Sequence, residues 1–151
     1  MRIDIKGHES FAIESIINQE LKNILENKSR LEVGIFEDAK YDDGKPVASI
    51  AKLHEFGNLR VPPRPFFSIA IDKNQGKWGG ILKNQFLTNQ NAELSLSQVG
   101  EVVRGDVALS LTTLKSPPNA ETTIKKKESS NPLIDTGFLR ACINFKVAKK
   151  G

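Results

Sequence analysis

The chain has 151 residues, a formal net charge of +4 and 38% hydrophobic residues, values that suit one soluble domain over residues 1–151. No apolar run approaches the roughly 18 residues of a membrane span, and the start lacks the apolar region of a secretory signal. The single cysteine, Cys142, excludes an internal disulfide and a multi-cysteine metal site.

The first third of the chain predicts two strands and one helix. Alternating apolar and polar residues favour a half-buried strand over residues 2–6. Apolar residues three or four positions apart favour a helix over residues 9–28. A second strand is expected over residues 31–36, after which a polar loop occupies residues 37–46.

A short helix is expected between Pro46 and Phe56. Proline suits the first turn of a helix, and Gly57 is a good residue for its end. Residues 58–67 cannot be helical, because three prolines remove backbone donors and favour extended conformations.

Helices dominate the next part of the chain. Ser68 is expected to cap a helix over residues 66–74 or beyond, and residues 81–89 are also expected to be helical. Gly76, Gly79 and Gly80 are expected to loosen the region around Trp78. A clearer apolar stripe predicts a helix over residues 93–114. Two glycines inside that helix each cost about 1 kcal/mol relative to alanine, so tertiary packing must hold it.

The C-terminal part begins with a polar stretch rich in proline and lysine. Its composition predicts an exposed, mobile loop or arm over residues 115–132, with a helical turn at 120–127. Alternation then predicts a last strand over residues 139–147. The combined pattern, with strands and helices in one short chain, suits an α+β fold with a small, mostly antiparallel sheet and this long loop.

The residues offer no catalytic constellation. His54 and Glu55 lack the second histidine of a helical zinc motif, since that position is Asn58. Cys142 has no histidine nearby in sequence and lies in a predicted strand, which favours a structural thiol. We therefore expect no enzyme activity, no cofactor and no metal site.

The segment Val61–Pro62–Pro63–Arg64–Pro65–Phe66–Phe67 is the most informative part of the chain. Its two phenylalanines fold into the core, or the stiff backbone forms a pre-ordered surface for a partner chain. A rigid extended segment loses little entropy on docking, which suits the second interpretation. The residues alone leave both open.

Five cations are candidates for contact with a nucleic acid, and a solvated segment is the competing interpretation. They are Arg104, Lys115, Lys125, Lys126 and Lys127.

Three segments in this order resemble the virion-morphogenesis proteins of tailed bacteriophages, the tail-completion, neck or head–tail joining proteins. They are residues 48–57, ending in Ala-Lys-Leu-His-Glu-Phe-Gly, residues 61–67, and residues 131–139, which contain Pro-Leu-Ile-Asp-Thr-Gly. Residues 117–125 also match the loop that precedes the third segment. Cys142 departs from the pattern, which usually has serine there.

The resemblance implies an α+β fold in which helices are packed on one face of the sheet. It also implies a non-enzymatic protein that forms a ring, with six subunits, at the junction of tail and capsid. Its partners would be other copies of itself, a tail-tube or tail-terminator protein and the head connector, with non-specific contact to DNA in the lumen and no membrane. It would be assembled in the host cytoplasm and then belong to the virion. Asp135, Thr136 and Gly137 would form a turn that directs the last strand. The candidate interface residues are Phe56, Arg60, Pro62, Pro63, Arg64, Pro65, Phe66 and Phe67.

The alternative is a small basic nucleic-acid-binding domain that uses the lysines of its loop and tail. It predicts a DNA affinity that falls steeply with salt.

Overall fold

A computed structural model describes residues 2–6, 29–89, 91–114 and 137–149, with backbone only for residues 2–6. The predicted helix over 9–28, the loop over 115–132 and the helical turn at 120–127 lie outside these residues. The described elements make an α+β protein, which confirms the predicted class. In chain order they are β1 (Arg2–Lys6), β2 (Arg30–Gly34), α1 (Val47–Phe56), α2 (Phe66–Thr88), α3 (Ala92–Thr113), α4 (Phe138–Ala141) and β3 (Asn144–Ala148).

The strands form a sheet in the order β1-β2-β3. β1 and β2 are antiparallel, with Ile3 opposite Val33 and Ile5 opposite Leu31. Leu31 and Val33 are fully buried. The two predicted N-terminal strands are both present, although β2 ends at Gly34, two residues earlier than the pattern indicates.

The chain divides into two compact units. One comprises Ile35–Lys73 and Gly105–Asn144, and the other comprises Arg2–Gly34, Asn74–Arg104 and Phe145–Gly151. Buried apolar residues of the first unit are Ile35, Val47, Ala51, Phe66, Phe67, Ala70, Val107, Leu111, Leu139 and Ile143. Those of the second unit are Leu31, Val33, Trp78, Leu82, Phe86, Leu96, Val99 and Val103.

Helix α2 is continuous over Phe66–Thr88, so the three glycines that were expected to loosen the region around Trp78 lie inside an unbroken helix. Trp78, Leu82 and Phe86 follow one another at four-residue spacing, and each is at most 2% exposed. Burying three large side chains stabilises the helix by several kcal/mol, more than the roughly 3 kcal/mol that three glycines cost.

The prediction that Ser68 caps the start of this helix is wrong. The helix begins at Phe66, so Ser68 lies within its first turn.

Helix α3 confirms the prediction from the apolar stripe, with bounds of Ala92–Thr113. The side-chain oxygen of Asn91 caps its start by accepting a hydrogen bond from the Leu94 amide at 3.0 Å. A Cβ atom added at Gly100 would lie 2.7 Å from Cγ of Phe145 and 2.9 Å from Cδ1 of Leu31. Glycine at this position therefore lets β2 and β3 side chains approach the helix backbone.

The predicted strand over residues 139–147 is wrong in its first half. Phe138–Ala141 forms the short helix α4, and β3 covers only Asn144–Ala148. Leu139 and Ile143 are four residues apart and both are buried. Residues four positions apart lie on the same face of a helix and also on the same face of a strand, so the sequence pattern fits both. Here the backbone is helical, and the Cys142 amide donates a hydrogen bond to the Phe138 carbonyl.

Among the helices described, none is both long and apolar enough to pass through a lipid bilayer.

Candidate interaction surface

Helix α1 ends in a tight turn at Gly57. The Gly57 amide donates to the Leu53 carbonyl at 2.8 Å, and the glycine has a φ of +66°. A Cβ atom here would lie 2.7 Å from the Val61 carbonyl oxygen and 2.8 Å from the Pro63 nitrogen. Both the backbone conformation and the close approach require glycine, in agreement with the predicted helix end.

Asn58 then organises the following turn. Its side-chain oxygen accepts hydrogen bonds from the amides of Arg60 and Val61, each at 2.8 Å. Its own amide donates to the Val61 carbonyl at 2.9 Å. These bonds fix the turn over residues 58–61, as asparagine commonly does.

Glu55 connects this turn to the start of helix α2. Its carboxylate accepts from the amides of Phe67 at 3.0 Å and Ser68 at 2.9 Å, and from the Ser68 hydroxyl. The residue is only 3% exposed. A buried negative charge at the positive end of a helix dipole, accepting two otherwise unsatisfied amides, is a strong cap.

Sequence reasoning missed the role of Glu55. The capping residue lies 12 residues before the amide that it binds, in a different helix, whereas capping signals in sequence are local.

The remaining groups at the start of α2 are also paired. The Phe66 amide donates to the Arg64 carbonyl at 2.9 Å, and the Ile69 amide donates to the Pro65 carbonyl at 3.0 Å. The Ser110 hydroxyl of α3 donates to the Phe66 carbonyl at 2.8 Å. Hydrogen bonds made by Asn58, by Glu55 of α1 and by Ser110 of α3 therefore fix several points of the segment 56–68.

Large apolar groups project from this ordered segment into solvent. Phe56 is 66% exposed and Leu59 is completely exposed, at 107% of the reference area. Arg60, Pro62 and Pro63 are exposed beside them. We call residues 56–63 the 56–63 loop.

Three of the candidate interface residues are buried, which favours the interpretation that the two phenylalanines fold into the core. Phe66 is 0% exposed and Phe67 is 2% exposed, with ring centroids 5.1 Å apart. Arg64 is 6% exposed, and burial lowers the pKa of its guanidinium. These side chains have almost no surface to offer a partner: Phe66 and Phe67 are buried in the first turn of α2, and Arg64 is buried just before it. Pro65 is half-buried.

Of the candidate DNA contacts, Arg104 alone lies in the described residues. Its guanidinium binds the Glu101 carboxylate one turn earlier in α3, with an Nη2–Oε2 distance of 2.6 Å. The positive charge of Arg104 is therefore already paired with a carboxylate of the same helix. Lys115, Lys125, Lys126 and Lys127 lie outside the described residues.

The predicted turn at Asp135, Thr136 and Gly137 is described only at its last residue. Gly137 has a φ of +75°, a conformation that favours glycine, and helix α4 begins at the next residue. Asp135 and Thr136 lie outside the described residues.

The thiol of Cys142 is a weak candidate for chemistry. Burial and the negative charge of Asp38 raise its pKa, which keeps the thiol protonated and poorly nucleophilic near neutral pH. Within residues 29–89, 91–114 and 137–149, no three histidine, cysteine or acidic side chains form a metal-binding group.

Comparisons with protein-family models, with curated proteins and with solved structures found no match for this chain.

Proposed function

We propose that this chain is a structural virion protein at the head–tail junction of a tailed bacteriophage. It forms a ring that completes the tail and joins it to the capsid connector. The proposal is supported by the ordered resemblance of residues 48–57, 61–67 and 131–139 to tail-completion and neck proteins. The first two of these segments are those that build the 56–63 loop and the cap of α2.

The observation that carries the proposal is the exposure of Phe56 and Leu59 on a loop that is already rigid. Burying one such side chain contributes about 1.5–3 kcal/mol. A pre-ordered loop also avoids the entropy cost of ordering on association. Exposed apolar side chains on a fixed backbone are therefore typical of a surface that is covered in an assembly.

A ring needs two different patches on each subunit, since head-to-tail contacts are heterologous. The 56–63 loop serves as one of them. Six copies, a tail-tube or tail-terminator protein above or below the ring, and the head connector are the partners that the resemblance implies. DNA passing through the lumen would contact the ring only through non-specific charge.

The test is complementation of particles that lack this protein with the Leu59→Ser variant. Leu59 makes no buried contact, so the variant folds normally, and it is expected to lower the number of joined head–tail particles about tenfold or more. The matched control is Leu94→Ser, which removes an exposed leucine (47%) from helix α3 and should leave joining unchanged.

Electron microscopy counts joined particles, and mass spectrometry of purified virions detects the protein. Absence of the protein from purified virions contradicts the proposal, as does normal joining with Leu59→Ser.

A further inference from the structure

A second patch lies in the segment that leads into helix α1. Glu37, Asp38 and Asp42 are exposed there. Asp43 is also exposed. The backbone amide of Lys45 donates to its Oδ1 at 3.1 Å, the Lys45 Nζ lies 3.1 Å from its Oδ2, and these two interactions lower the pKa of Asp43. We call residues 37–43 the acidic segment. Three carboxylates remain there against the single ammonium group of Lys40.

The acidic segment carries an aromatic pair. The rings of Tyr41 and Phe138 have centroids 5.3 Å apart, and Phe138 is 39% exposed. Backbone hydrogen bonds hold the segment in place, since the Val47 amide donates to the Ala39 carbonyl at 3.0 Å and the Tyr41 amide donates to the Lys45 carbonyl at 2.9 Å. This patch therefore combines fixed carboxylates with an accessible apolar surface.

The 56–63 loop has the opposite charge. In residues 46–65 the exposed charged side chains are Lys52 and Arg60, while the acid Glu55 is buried in its capping role. The exposed apolar groups of the 56–63 loop are Phe56, Leu59, Pro62 and Pro63. The acidic segment is thus negatively charged and the 56–63 loop is positively charged, and both patches expose apolar side chains.

The two patches lie at opposite ends of α1. The acidic segment precedes Val47, the first residue of the helix, and the loop begins at Phe56, the last. Ten helical residues span about 15 Å. Complementary patches at opposite ends of one rigid helix suit a head-to-tail contact between copies.

We propose that the 56–63 loop of one copy docks onto the acidic segment of a second copy. Phe56 and Leu59 contact the Tyr41–Phe138 pair, and Arg60 faces the carboxylates. A two-fold symmetric contact of the loop with itself would instead bring two Arg60 side chains to one interface without an exposed carboxylate of the loop to balance them. The inference rests on the proposed function, because it names the occupant of the same loop.

The first test is disulfide trapping in a Cys142→Ser background, which removes the native thiol. A chain carrying Leu59→Cys is mixed with a chain carrying Asp42→Cys under mild oxidation. We expect the mixed disulfide to form in preference to either homodimer. A chain carrying Leu94→Cys replaces the Asp42→Cys chain as the control and should give no more than a background yield.

The second test is a charge swap in the same assay. Arg60→Glu on the loop chain should lower the yield about tenfold, because a like-charge contact replaces an attractive one. Adding Glu37→Lys and Asp38→Lys to the acidic chain should restore it. A merely misfolded loop variant would not be rescued by changes on the other chain.

The outcomes separate this inference from the proposed function. If no mixed disulfide forms while Leu59→Ser still abolishes head–tail joining, the loop binds a different virion protein and the inference is wrong. A second outcome is that the mixed disulfide forms, the charge swap restores its yield, and Leu59→Ser leaves head–tail joining unaffected. In that case the contact between copies is supported and the proposed virion function is wrong. A yield with Leu94→Cys equal to that with Asp42→Cys also overturns the inference.

Discussion

The carboxylate of Glu55 is buried and accepts two amides at the start of α2, so its removal leaves those donors without a partner. Hydrogen bonds to a charged group contribute about 1.5–3 kcal/mol. We expect Glu55→Ala to lower the free energy of unfolding by about 2–4 kcal/mol, measured by urea denaturation.

Glu55→Gln is the conservative control for this prediction. It keeps the shape and one acceptor oxygen but places an amide N–H₂ against the second donor, so its loss should be smaller than that of alanine but still measurable. Equal stability of Glu55→Ala and the wild-type chain would show that the cap is not energetically important.

The raised pKa of Cys142 predicts how the stability of the fold and the reactivity of the thiol depend on pH. Burial first, and the charge of Asp38 second, raise the pKa of the thiol above its ordinary value of 9.0. The thiol therefore stays protonated in the folded chain at a pH where the unfolded chain has ionised. The resulting stability is present below the unfolded pKa and is lost as pH rises through the folded pKa.

Alkylation by iodoacetamide should reach half of its maximal rate at a higher pH in the native chain than in the denatured chain. Asp38→Asn should move the native midpoint back towards that of the denatured chain. A native midpoint at or below that of the denatured chain would contradict the assignment.

At the scale of elements, helix α3 contains two glycines in contrasting surroundings. A methyl group at Gly100 would meet Phe145 and Leu31 at less than 3 Å, whereas one at Gly105 would meet nothing within 4 Å. We expect Gly100→Ala to destabilise the protein by about 1–3 kcal/mol through overpacking. Gly105→Ala should stabilise it by about 0.5–1 kcal/mol through helix propensity.

Thermal and urea unfolding of the two variants measure these opposite signs. The pair controls for the backbone effect of replacing glycine, because the same substitution occurs in the same helix. Two changes of the same sign would show that the strands do not approach α3 as closely as described.

At the scale of the whole molecule, the net charge of +4 and the lysines of residues 125–127 support only weak, non-specific DNA binding. We expect the affinity for a short duplex to fall steeply with salt and to decrease when Lys125, Lys126 and Lys127 are changed to alanine. Fluorescence anisotropy measures both effects.

The same triple variant distinguishes the two functions. As a ring subunit it should still complete head–tail joining, whereas a DNA-binding domain would lose its activity with the lysines. Loss of joining together with DNA binding, with Leu59→Ser fully active, would favour the alternative function.

The amino-acid sequence by itself determined the class of the fold and several of its boundaries. Alternation predicted the N-terminal strands, the stripe predicted α3, and Pro46 and Gly57 marked the ends of α1. These signals are local, since each depends on the periodicity or backbone preference of a few adjacent residues.

Tertiary structure decided the rest, because the deciding contacts join residues far apart in the chain. Burial of Trp78, Leu82 and Phe86 stabilises α2 as one continuous helix despite its three glycines, and Glu55 of α1 caps the start of α2. Packing also took Phe66 and Phe67 into the core and left Phe56 and Leu59 in solvent. All four are large apolar residues, so only the direction of each side chain on the folded backbone could tell the buried pair from the exposed pair.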